Sequence, residues 1–174
     1  MLTNTAFKTL LKKLTSFGLF LGLLLATLLI DFALQTPKTA KAVSTEISNC
    51  TQLQDMELDL TADYVVTQSF SCSGIANFSP IGPSRMDFFT GTFDGGNYEI
   101  SDLTINRPDT DFIGLFGVTG AGSEIANVKL VDVNITGDDE TAGLVGESNG
   151  PITNSSVTGS VTGTDYVGGL VGEN

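Results

Sequence analysis

The sequence predicts an all-β fold: a parallel β-helix closed at its N-terminal end by a cap and preceded by a helical signal peptide. Three observations predict it. Glycine-bearing segments recur at one period through the C-terminal half, short apolar–polar alternations lie between them, and no amphipathic helical stretch interrupts them. Composition agrees, since 20 glycines among many Thr, Ser, Asn and Val favour strands and turns over helices. Parallel crossovers are right-handed by general preference, so the coil is expected to be right-handed.

The first 42 residues read as an address. Lys8, Lys12 and Lys13 precede an uncharged apolar run, Phe17 to Ile30, which Asp31 interrupts. The polar stretch Gln35 to Lys41 leads into Ala40-Lys41-Ala42, with small residues at the −3 and −1 positions. That is the pattern of a secretory signal peptide. The run holds 14 residues, fewer than the roughly 20 needed to span a bilayer as a helix. An uncleaved anchor is the alternative, if the run extends through Phe32 to Leu34. The mature chain is expected to begin at Val43 and to work outside the cytoplasm, secreted or at a bacterial cell surface. Cys50 lies far beyond the run and follows Ser48-Asn49, so no lipobox is present.

Charge narrows the function. The chain has 8 Lys plus Arg against 20 Asp plus Glu, and neither His nor Trp. Five of the basic residues and one acid lie in the first 42, which leaves 3 basic and 19 acidic side chains, a net charge of −16. Nucleic acid is excluded as a partner, because counterion release needs Lys and Arg lined against phosphates. Without His there is no histidine metal site and no Ser-His or Cys-His catalytic pair. So acidic a surface also repels anionic bilayers, which confines membrane contact to the signal peptide during export.

Two cysteines follow, Cys50 and Cys72, and in an oxidising compartment an even count reads as a disulfide. Two buried free thiols are the alternative. No CxxC spacing exists, so thiol exchange is not expected and the bond would be structural.

The repeat carries most of the information. Ile113-Gly114-Leu115-Phe116-Gly117, Ala142-Gly143-Leu144-Val145-Gly146 and Gly168-Gly169-Leu170-Val171-Gly172 match, with final glycines 29 and 26 residues apart. In phase with them run segments beginning Ile100-Ser101-Asp102, Ile125-Ala126-Asn127 and Ile152-Thr153-Asn154, at steps of 25 and 27. Asn134-Ile135-Thr136-Gly137 returns as Ser160-Val161-Thr162-Gly163 after 26. Alternation such as Val131-Asp132-Val133-Asn134-Ile135-Thr136 has the period of a half-buried strand. Stacked coils of this length should bury Leu103, Val128, Leu130, Ile135, Leu144, Val145, Val161, Leu170 and Val171 in one column. Asp102, Asn127 and Asn154 should lie above one another, as side chains that hydrogen-bond along a ladder. Between Phe88 and Ile100, Asp94-Gly95-Gly96-Asn97 reads as a turn or hairpin. The expected divisions are 1–42 signal peptide, 43–97 cap and first coil with the disulfide, and 98–174 repeats, incomplete at the C-terminus.

The signature Gly114-Leu115-x-Gly117, Gly143-Leu144-x-Gly146 and Gly169-Leu170-x-Gly172, with Ile-x-Asn and Thr-Gly elements between, resembles GLUG-motif proteins. The stretch from Cys50 through Cys72-Ser73-Gly74 to Phe93-Asp94-Gly95 is similar to the segment that precedes such repeats. The resemblance covers about 47–174. It implies a right-handed parallel β-helix on a secreted or surface-attached bacterial protein, of the kind found in adhesins and beside immunoglobulin-A-cleaving metalloendopeptidases. It implies no catalytic residues, and a zinc protease motif of the His-Glu-x-x-His type is ruled out by the lack of His. Family members carry more repeats than this chain, whose last residues, Gly172-Glu173-Asn174, fall inside one.

Chemistry-bearing groups are few. Carboxylate pairs that could cleave glycosidic bonds are Asp109 with Asp111, Asp138-Asp139-Glu140, and Asp87 with Asp94. The basic residues a lyase would need, Arg85, Arg107 and Lys129, are isolated in sequence. Asp138, Asp139 and Glu140 also supply the hard oxygens calcium prefers, but no EF-hand or nonapeptide pattern surrounds them, so no cofactor is expected. The leading expectation is a non-enzymatic exported module for adhesion or surface scaffolding, contacting host or cell-envelope glycans or proteins. Self-association at an open C-terminal coil is a further expected contact. The alternatives are the N-terminal stalk of a larger secreted enzyme, endopeptidase-like, and a polysaccharide-degrading β-helix.

Overall fold

The computed structural model describes residues 43–174; the signal-peptide reading falls on 1–42 and lies outside the described residues. At the N-terminal end β1 (Thr45–Ile47) is followed by the one-and-a-half-turn helix α1 (Cys50–Gln54) and a 3-10 turn, Asp55–Leu58. The first coil holds β2 (Tyr64–Val66) and β3 (Phe70–Ser71). The second holds β4 (Thr92–Asp94), β5 (Glu99–Ser101), β6 (Thr104–Asn106) and β7 (Phe116–Thr119). The third holds β8 (Glu124–Ala126), β9 (Lys129–Thr136), β10 (Thr141–Ala142) and β11 (Val145–Ser148). The fourth holds β12 (Ile152–Thr153), β13 (Ser156–Thr162), β14 (Val167–Gly168) and β15 (Val171–Glu173).

Every pairing among these strands is parallel. One wall is ordered β1-β2-β4-β8-β12, a second β3-β5-β9-β13 with β6 also on β9, a third β7-β11-β15, and a short fourth β10-β14. The protein is a parallel β-solenoid of four coils. Asp94-Gly95-Gly96-Asn97 is therefore a coil corner between β4 and β5, and the hairpin reading does not hold.

Two of the corners are built from residues that tolerate positive φ. Asn97, Asn127 and Asn154 (φ 60, 56 and 46°) occupy one corner, and Asp102 and Asp132 (58 and 54°) the next. Short polar side chains are the ones that visit this region at low cost. At Asp132 the alternation changes phase, so that Leu130 and Val133 both face inward within β9.

One sequence alignment is corrected here. Ile125 pairs with Phe93 and Leu130 with Ile100, so Ile100-Ser101-Asp102 lies beside the start of β9 and not beside β8. The true partner of Ile125-Ala126-Asn127 is Phe93-Asp94 with Asn97, hidden by a corner two residues longer. Because every strand has a period of two, an apolar string slides onto the wrong neighbour without losing an apolar match. The ladder is accordingly Asn97, Asn127 and Asn154, with Asn154 Nδ2 2.7 Å from Asn127 Oδ1 and 3.2 Å from Asn97 Oδ1. Asp102 belongs elsewhere: it accepts from the hydroxyls of Ser71 (2.7 Å) and Ser101 (2.8 Å), which hold its carboxyl below the usual range.

The interior is continuous from α1 to the third coil. Leu53 and Met56 close its lower end beneath the first coil, and Cys50 is bonded to Cys72 just after β3. Asn49 caps α1, its side-chain oxygen accepting from Gln52 N at 3.0 Å. Phe116 is the centre of an aromatic cluster, 5.0 Å from Phe89 and 5.3 Å from Phe93 between ring centroids, with Tyr64 beyond Phe89. Val161, Leu170 and Val171, expected in the buried column, are only half-buried, because coil four is paired among the described residues on one side alone.

The signature glycines have a packing reason. Gly117, Gly146 and Gly172 stack in register between β7, β11 and β15. A Cβ on Gly146 would lie 2.6 Å from Glu140 O and 2.8 Å from Gly117 O, both backbone atoms that cannot turn aside. Gly146→Ala should therefore cost about 1–3 kcal/mol, the usual range for overpacking. Gly122, whose Cβ would meet nothing within 4 Å, should tolerate alanine to within about 0.5 kcal/mol. Equal denaturation midpoints for the two variants would contradict this stacking.

Candidate functional site

Most polar groups of the four coils are spent on corners and ladders. Lys129 forms an exposed pair with Glu99 across β9 and β5, worth little in water. Asp94 Oδ1 accepts from Gly96 N and Asn127 Nδ2, both at 2.9 Å, while Asp87 closes a turn with Ser84. Asp109 is exposed, and Asp111 Oδ1 accepts from Asp139 N at 3.4 Å. Asp139 in turn accepts from Asp165 N at 3.1 Å, so these acids cap the backbone of the next coil. One member of each candidate pair, Asp94, Asp111 or Asp139, is thus engaged with backbone or side-chain donors. Asp138, Asp139 and Glu140 do not converge on a metal position, and no group of three such ligands does so among the described residues.

Arg85 is the exception. It projects from the Ser84–Asp87 turn of the first coil and reaches all three others. Its Nε donates to Glu147 Oε2 at 2.5 Å, and its Nη2 lies 3.5 Å from Glu140 Oε1 and 3.6 Å from Glu173 Oε2. Its guanidinium sits 4.8 Å from the Phe112 ring centre. Phe112, Glu140 and Tyr166 occupy equivalent corners at φ of 58, 46 and 53°. Bulky residues pay roughly 1–2 kcal/mol each for that conformation. The Glu140 side chain is 12% exposed and that of Glu147 14%.

Burial pushes the Glu140 carboxyl above the usual glutamate range; Arg85 opposes this, while Asp111, Glu173 and Asp139 add to it. A carboxyl raised in the folded state holds extra protons there, so its contribution is present below the ordinary glutamate value and lost as pH rises through the raised one. Arg85→Ala removes the opposing cation. The variant should melt several degrees below the parent at pH 7, and the deficit should shrink as pH falls and the Glu140 carboxyl takes up its proton. A deficit independent of pH would mean that Arg85 acts only by packing on Phe112.

Glu147 and Glu173, half of this cluster, were not among the sequence candidates. The signal was present: each follows the final glycine of a repeat, and the two pair in register across β11 and β15. Beside the cluster lies a groove of about 370 Å³, bordered by Arg85, Phe88, Thr119, Glu147 and Asn149. Its floor is the end of β7 and the following Gly120-Ala121.

A second surface is broad. On the outer face of β9 and its neighbours, Thr104, Asn134 and Ser160 lie in one row and Asn106, Thr136 and Thr162 in another. Among the described residues no helix is long and apolar enough to cross a membrane.

No family model matches the chain. Halomucin of Haloquadratum walsbyi is 39% identical over 116 residues, covering 67% of this chain and 1% of halomucin. A protein of Evansella cellulosilytica, provisionally named a Gly-rich membrane protein, is 35% identical over 104 residues, 58% of this chain and 11% of that protein. The chain therefore spans only a small part of either relative. Among solved structures, a Bacteroides ovatus chain provisionally described as an immunoglobulin A1 protease is similar at a TM-score of 0.43 and 15% identity. That likeness covers 75% of this chain and 61% of the other.

Proposed function

We propose that the protein is an exported, non-enzymatic β-solenoid module that works by adhesion or scaffolding at a cell surface. The observation that carries the reading is the outer face of β9 and β13, where coil registry sets Asn, Ser and Thr side chains in parallel rows. Such rows offer many weak polar contacts at fixed spacing on a stiff support, which suits extended glycans or protein strands. The names of the two relatives, a halomucin and a membrane protein, support placement at the surface. Asp94, Asp111 and Asp139 are engaged with backbone or side-chain donors and Glu140 and Glu147 with Arg85, which leaves each candidate carboxylate pair with a member already held and speaks against catalysis. Retention of the purified chain on envelope preparations or immobilised polysaccharides, above an unrelated protein of equal negative charge, is the expected result. Equal retention of the two would remove the adhesion reading.

A second reading is a stalk within a longer surface protein or secreted enzyme. The lengths of the relatives favour it, since the matched segment is 1% of one and 11% of the other. The intact mass of the product in its host decides between a free module and a stalk.

A further inference from the structure

We infer that the groove beside Arg85 is a subsite for a neutral saccharide unit, and this rests on the adhesion reading above. Its volume of about 370 Å³ falls at the small end of the range of about 300–1,000 Å³ found for ligand sites. An apolar platform stands on one side. Phe88 keeps 37% of its surface exposed although its ring lies on the backbone of Gly120, where a Cβ would come within 2.8 Å of ring atom Cδ2. A flat aromatic face backed by main chain and open to solvent suits the apolar face of a pyranose ring.

Polar groups stand around that platform. Asn149 Nδ2 donates to Glu147 Oε1 at 3.1 Å, and the Glu147 carboxylate is held by Arg85 on its other oxygen. The carboxylate is thus fixed from both sides, so it can accept from sugar hydroxyls without rearranging. The Asn149 amide keeps its second N–H as a donor and its oxygen as an acceptor for sugar hydroxyls.

Charge selects among saccharides. One guanidinium stands among the carboxylates of Glu140, Glu147 and Glu173, so the surroundings remain negative after Arg85 is counted. A uronate or a sulfated sugar would be repelled, and a neutral hexose would not.

The experiment is an NMR titration of the purified, oxidised chain with chitohexaose, cellohexaose and mannohexaose. An oligogalacturonate and a proline-rich peptide are titrated in parallel. Saturable shifts at Phe88, Gly120 and Asn149 with at least one neutral hexasaccharide are expected, and none with the oligogalacturonate. Phe88→Ala and Asn149→Ala should each weaken that binding about tenfold or more while leaving the melting temperature within a few degrees of the parent. Binding of the oligogalacturonate or of the peptide in the groove overturns the proposal. So does neutral-sugar binding that Phe88→Ala leaves unchanged, or no response to any of the three. If envelope retention persists in those last cases, the adhesion reading stands and only its assignment to this groove falls.

Discussion

Phe116→Ala should lower the unfolding free energy by about 3–5 kcal/mol, the range for truncating a fully buried phenylalanine. Phe116 is fully buried and stands between Phe89 of the first coil and Phe93 of the second. Its loss therefore opens a cavity shared by two coils and two walls. The parallel ladders on either side keep the coils at fixed spacing, so little collapse can fill the space. For a folded unit of this size the shift in melting temperature should be about 10–20 °C. Phe116→Leu keeps most of the volume and should recover much of the difference. Tyr98→Ala, at a residue 40% exposed, should stay within about 0.5 kcal/mol of the parent. A small effect at Phe116 would mean that the coils are not stacked as described.

Reducing the disulfide should produce the second large effect. Cys50 and Cys72 are 22 residues apart, and closing such a loop in the unfolded chain is worth about 3 kcal/mol in the chain-entropy account. The bond joins the start of α1 to the residue after β3, so the freed cap exposes Leu53 and Met56 at the end of the core. Circular dichroism melts of the oxidised chain and of Cys50→Ala with Cys72→Ala should differ accordingly. Brief proteolysis should cut the variant first in the cap. Identical melts would remove the cap's stabilising role.

The architecture was legible because its signals are redundant. The pairing of Asn134-Ile135-Thr136 with Ser160-Val161-Thr162 repeats in sequence at the same step as the glycine column, and the structure sets both in register. Errors arose where one signal stood alone. The two extra residues in the Asp94–Asn97 corner shifted the alignment of the second coil by a strand, because apolar alternation cannot distinguish neighbouring strands. Helix α1 passed unread, since five residues are too few to show helical periodicity and only Asn49 with the Leu53–Met56 spacing marked it. The Arg85 cluster was invisible for another reason: Glu147 is 62 residues from Arg85 in sequence, and only winding through two coils brings them together. The corners at Phe112, Glu140 and Tyr166 carry no residue type that announces positive φ.

The central claim is that this surface binds without performing chemistry. It is tested most directly by incubating the chain with an envelope polysaccharide that it retains, then sizing the recovered polymer and assaying new reducing ends. Saturable retention with the polymer recovered at its original length is the predicted result. Shortened chains, with the activity lost in a variant combining Glu140→Gln and Glu147→Gln, would contradict it and turn the Arg85 cluster into a catalytic site.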